Sequence, residues 1–101
     1  MIKAIIVDDE KLSRNTLKKL LEIYCPDVEV IAECDNAASA TIQVMQIQPE
    51  LVFLDVAMHG KNGIDFLKEL DDIKFEVIFV TAHDKYILQA IRLAAVDYLQ
   101  K

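Results

Sequence analysis

Short apolar runs separated by longer stretches of helical periodicity set the strongest limit on what this 101-residue chain can fold into. The runs are Ala4–Val7, Val28–Ala32, Leu51–Leu54, Val77–Val80 and Val96–Leu99. Most are rich in β-branched or aromatic residues, and each is only four or five residues long. Runs of that length and composition suit buried strands better than helices. Between them, Leu17, Leu20, Leu21 and Tyr24 repeat at helical spacing, and Cys25-Pro26 ends that helix. Asn36 is the predicted N-cap of a helix carrying Ala37, Ala40, Val44 and Ile47, closed by Pro49. Ile64 to Leu70 predict a short helix after Gly63, and Ile87, Ala90, Ile91 and Ala94 a fourth. The order β-α-β-α-β-α-β-α-β predicts a doubly wound α/β domain with a parallel sheet covered on both faces.

The composition agrees with one compact domain over 1–101. Apolar residues make up 53%, with only two glycines and two prolines. A net charge of −6 argues against nucleic-acid or anionic-membrane binding by this chain, since phosphate contacts need clustered Lys and Arg. No apolar run reaches the ~18 residues of a membrane span, and the N-terminus lacks a signal-peptide pattern. The expected location is the cytoplasm. Cys25 and Cys34 are read as two small, partly buried thiols rather than a disulfide or a metal pair. The chain ends two residues after the fifth run, where a covering helix would be expected next. It therefore reads as C-terminally truncated, with an uncovered face beside strands four and five that invites a second copy.

Ligands in open parallel sheets bind beyond the carboxyl ends of the strands. Strand one runs into Asp8-Asp9-Glu10, strand three into Asp55, strand four into Thr81-Ala82 and strand five into Lys101. An Asp-Asp pair alone is ordinary, because acids often precede helices. Asp55 is less ordinary. A carboxylate directly after a buried strand is a poor place for a merely solvated charge. Crowded carboxylates repel, and a hard cation such as Mg²⁺ is the usual remedy. Thr81 and Lys101 would add a hydroxyl and an ammonium for phosphoryl oxygens, and a carboxylate can itself take up a phosphoryl group. Met45, Met58 and the other stripe residues are assigned to packing. His59 and His83 read as solvated loop residues. There is no Gly-x-Gly-x-x-Gly and no Gly-Lys-Ser/Thr phosphate loop.

Taken in order, Ile5-Ile6-Val7-Asp8-Asp9-Glu10, Val52-Phe53-Leu54-Asp55-Val56-Ala57-Met58-His59-Gly60-Lys61-Asn62-Gly63, Val80-Thr81-Ala82 and Asp97-Tyr98-Leu99-Gln100-Lys101 resemble a bacterial response-regulator receiver domain of the CheY-like kind. The stretch from Phe79 to Leu99 also resembles receivers joined to LytTR-type DNA-binding domains. The resemblance implies a flavodoxin-like sheet of order 2-1-3-4-5. It implies that Asp55 accepts a phosphoryl group from a sensor histidine kinase or phosphotransfer protein. It implies that Asp8, Asp9, Asp55 and the backbone carbonyl of Ala57 hold Mg²⁺. Thr81 and Lys101 would contact the phosphoryl group, Thr81 and Tyr98 would form the switch, and Ala57 and His83 would tune the phosphoryl lifetime. His59 stands where the family usually has proline, and the proline usual after Lys101 falls beyond the chain. Such a domain catalyses only its own phosphorylation and dephosphorylation. Two other readings are a phosphorylation-independent interaction module and a Mg-dependent aspartyl phosphohydrolase. The second lacks its usual Asp-x-Asp, because Asp55 is followed by Val56-Ala57.

Overall fold

The computed structural model describes residues 1–56, 58, 62–70 and 73–80. Within them the elements run β1 (Ile2–Val7), α1 (Lys11–Tyr24), β2 (Val28–Cys34), α2 (Ala37–Ile47), β3 (Leu51–Leu54), α3 (Gly63–Glu69) and β4 (Glu76–Phe79). The strands form a parallel sheet in the order β2-β1-β3-β4. This is the alternation that the apolar runs predict, with small shifts at the ends. β1 and β2 are longer than their runs, and β4 begins one residue earlier. The fifth strand and fourth helix expected from sequence lie outside the described residues. Among the described residues no helix is long and apolar enough to cross a membrane.

Side chains on a strand alternate between faces, and the sheet uses both. Ile5, Val7, Val52, Leu54 and Phe79 join one buried cluster, against which residues of α2 and α3 pack. Ala4, Ile6, Leu51 and Phe53 join the other, together with Leu21 of α1. The central part of the sheet, Ala4–Val7 of β1 and all of β3, is therefore apolar throughout, as strands covered on both sides require, whereas the edge strand β2 alternates and exposes Glu29 and Glu33. Complete burial of a side chain such as Ile5 or Leu54 contributes about 1.5–3 kcal/mol. Phe66 is 1% exposed and is the largest fully buried side chain.

The helix ends follow local chemistry. Asn36 caps α2 by accepting from the Ser39 N–H at 2.8 Å, and Asn62 caps α3 by accepting from the Asp65 N–H at 2.8 Å. Gln48 ends α2 in the left-handed region, at φ 54°, just before Pro49.

The apolar stripes need correction. On α1, Leu17 and Leu21 pack on the sheet, but Leu20 is 47% exposed and Tyr24 75%. The face turned to the sheet is Arg14, Leu17, Lys18 and Leu21, also at i, i+3, i+4, i+7. Arg14 and Lys18 carry their charged heads to Glu33 on β2. Periodicity alone cannot tell these two faces apart. Met45 is 71% exposed because it lies about 100° around α2 from the Val44 stripe, whereas Met58 is buried as expected. Cys34 is buried, but Cys25 is exposed at the end of α1.

Phe66→Ala is expected to destabilise the domain by about 3–5 kcal/mol, because the truncation leaves a cavity between α3 and the sheet. Urea unfolding of the two proteins checks it.

Candidate functional site

Strand register builds the site. Val7 of β1 stands opposite Leu54 of β3 and opposite Cys34 of β2, so three strands end level. The ladder runs one residue further. The Asp8 N–H donates to the Cys34 carbonyl and the Asp55 N–H to the Val7 carbonyl, both at 2.9 Å. Asp8 and Asp55 thus leave the sheet side by side. They do so at β1, on either side of which the next two strands are added, the switch point where such sheets bind ligands.

The result is a tight group of acids. Asp8, Asp9 and Asp55 each present a carboxylate oxygen, and these oxygens lie within 4.8 Å of one another. Asp8 is only 7% exposed, while Asp9 and Asp55 are half-buried. The Glu10 N–H donates to Asp8 Oδ1 at 2.9 Å, which fixes that carboxylate on its own turn. Arg14 Nη1 donates to the Asp8 carbonyl at 2.7 Å. Burial raises the Asp8 pKa to about 6, against the lowering effect of the Glu10 N–H; the charges of Asp55, Asp9 and Glu10 push it further up.

These donors fit a hard divalent cation. All are oxygens, the set carries several negative charges, and Asp8 has lost most of its water. A bound Mg²⁺ would supply positive charge where the fold has concentrated negative charge.

Gly63 sets the other wall. Its N–H donates to the Val56 carbonyl at 2.9 Å, which closes the turn between β3 and α3. A Cβ at this position would sit 2.5 Å from the Asp55 carbonyl oxygen and 3.0 Å from Leu54 Cγ. No side chain can be accommodated there unless the backbone of Asp55 moves.

Of the residues expected from sequence, the structure brings together Asp8, Asp9 and Asp55. Ala57, Thr81, His83, Tyr98 and Lys101 lie outside the described residues, as does His59. Sequence reasoning missed Arg14 and Glu33. Arg14 looked like an ordinary charged residue on an amphipathic helix, and its partner Glu33 is 19 positions away.

Two outcomes follow from this geometry. Helix propensity alone would make Gly63→Ala mildly stabilising, but the clash is with backbone. We expect a loss of about 1–3 kcal/mol in urea unfolding. In Mg²⁺-free buffer, the contribution of Asp8 to folding stability is expected to decline as the pH rises from about 4 through 6, because the folded state holds the Asp8 proton to a higher pH than the unfolded chain does. Asp8→Asn should flatten that slope and raise the thermal midpoint at neutral pH by several degrees, measured by calorimetry across pH.

Comparison with known proteins identifies the family. Residues 4–101 match the response regulator receiver domain family. The sensory transduction protein LytT of Bacillus subtilis is 43% identical over 103 residues, covering 100% of this chain and 42% of that protein. The transcriptional regulatory protein BtsR of Escherichia coli is 37% identical over 102 residues, again covering 100% of this chain and 42% of the relative. The chain therefore spans about two-fifths of the length of these curated relatives. Among solved structures, the response regulator domain of Thermotoga maritima CheB shares the fold with a TM-score of 0.74 at 24% identity, over 97% of this chain and 69% of that one. A DNA-binding response regulator of the LuxR family from Staphylococcus aureus has a TM-score of 0.75 at 27% identity, over 91% and 79%. With its parallel sheet, its acidic switch point and a family match over nearly its whole length, the chain belongs to the response regulator receiver family.

Proposed function

We propose that Asp55 is the phosphoryl acceptor of this receiver domain and that a sensor histidine kinase or a phosphotransfer protein is the donor. The observation that carries the reading is the convergence of Asp8, Asp9 and Asp55 at the ends of β1 and β3. One carboxylate alone would be a poor acceptor, because it repels the incoming phosphoryl oxygens.

The chain's own residues do the rest by position. The Asp55 N–H is tied to Val7, which sets where its carboxylate leaves the sheet. The carboxylate oxygen attacks phosphorus and the donor imidazole departs, leaving an acyl phosphate. Asp8, Asp9 and Asp55, with the Ala57 carbonyl, would hold Mg²⁺. A bound Mg²⁺ supplies the charge that offsets repulsion between the attacking carboxylate and the phosphoryl group. Thr81 and Lys101 are proposed to contact the phosphoryl oxygens, and Tyr98 to respond when Thr81 moves. Ala57 and His83 are proposed to set the lifetime of the acyl phosphate. In the longer relatives the state of the receiver would be read by the remaining part of the protein. The relatives LytT and BtsR make a LytTR-type DNA-binding output the reading to test first in any full-length form.

Intact mass spectrometry after incubation with acetyl phosphate tests the reading. Wild type with Mg²⁺ is expected to gain one phosphoryl group. Asp55→Asn, and wild type with chelator, are expected to gain none. A folded, metal-replete wild type that gains nothing would favour the phosphorylation-independent module.

A further inference from the structure

The guanidinium of Arg14 sits at the corner where the β1–α1 turn, α1 and β2 meet. Its Nη1 donates to the Asp8 carbonyl at 2.7 Å, and its Nε donates to Glu33 Oε1 at 3.3 Å. Lys18 Nζ donates to the other Glu33 oxygen at 3.0 Å, so the carboxylate is held from two sides. The Arg14 side chain is only 15% exposed. It lies in the first turn of α1, where its own N–H donates to the Glu10 carbonyl at 3.1 Å.

We propose that Arg14 is a positioning residue for divalent-cation binding: its guanidinium clamps the Asp8 carbonyl to Glu33 of β2 and so holds the β1–α1 turn in the geometry that keeps its carboxylates together with Asp55. The inference rests on the cation reading above and deepens it.

Like charges confined within 4.8 Å push the turn and the end of β3 apart. Something must hold the turn closed before a cation arrives. Asp8 is anchored at its N–H by Cys34 and at its carboxylate by the Glu10 N–H. The Glu10 N–H closes a hydrogen-bonded turn across the Asp8–Asp9 peptide, but neither of these two bonds engages that peptide's own carbonyl. The carbonyl of that peptide is the group Arg14 grips. Fixing it fixes the direction in which the chain enters Asp9.

The grip uses the Asp8 carbonyl and not its carboxylate, so it does not compete for Asp8 as a cation ligand. It also uses two nitrogens of one rigid fork on two different elements. Lysine cannot reproduce that, because an ammonium on a flexible stem is a single point charge. Position and charge can therefore be separated by substitution.

Mg²⁺ titration by isothermal calorimetry on the full chain is the test, with amide NMR shifts of Asp8 and Asp9 as a second readout. Arg14→Lys is expected to weaken Mg²⁺ binding about tenfold, the loss usual for groups that orient metal ligands. Arg14→Met, which keeps the apolar stem, should lose at least as much. Glu33→Gln should fall between, since its amide oxygen still accepts from Nε. Leu17→Ala loosens α1 on the sheet without touching the clamp and should leave the Mg²⁺ affinity unchanged. If Arg14→Lys binds like wild type, the proposal is overturned. It is also overturned if Leu17→Ala weakens binding as much as Arg14→Lys, because the effect is then general loosening. A wild type that shows no saturable Mg²⁺ binding overturns the cation reading itself and this inference with it.

Discussion

The level pairing of β1 and β3 is the constraint on which the rest depends. Val7 opposite Leu54 puts the residues that follow, Asp8 and Asp55, next to each other at the rim of the sheet. A slip of one residue would turn the apolar set of β3 to the wrong faces and bury Asp55 or strand it in solvent. Both faces of the sheet are packed, so that slip is strongly disfavoured. The same hydrophobic packing that stabilises the fold also sets the spacing of the acids.

The site works against that stability. Asp8 is a carboxylate 7% exposed beside other acids, and its raised pKa measures the strain on its charged form. Several fully buried apolar side chains in the same strands each contribute about 1.5–3 kcal/mol, which is enough to hold one poorly solvated carboxylate in place. Such a site favours whatever brings positive charge into it. That makes a receiver domain responsive. The free state is under electrostatic load, and a cation held among these carboxylates would relieve that load at a single point.

Local devices confine the load. The Glu10 N–H and the Arg14 guanidinium hold Asp8 from two directions. Gly63 lets α3 approach the Asp55 backbone more closely than any residue with a Cβ could. The ion pairs of Glu33 with Arg14 and Lys18 would be worth little as isolated surface contacts. Their consequence lies in what Arg14 also grips. A contact of small energy can have a large effect when it fixes the orientation of a ligand.

The sequence by itself determined the alternation of strands and helices over the described residues, the C-terminal end of α1, the ends of α2, and the acids at the rim. These are local or periodic properties, written in short apolar runs, in Asn36, in Pro26 and Pro49, and in carboxylates placed directly after strands. It also carried the family, through motifs in a fixed order. The face that α1 turns to the sheet was not legible, because two stripes share the same period and only packing against β2 chooses between them. Hence Tyr24 and Leu20 are exposed although they fit an apolar stripe. The link from Arg14 to Glu33 was not legible either, since it joins a helix to a strand that are brought together only when β2 pairs with β1. Sequence names the groups that can carry charge, but their separations and their partners come from strand register and helix rotation, and those are decided by the burial of the whole core.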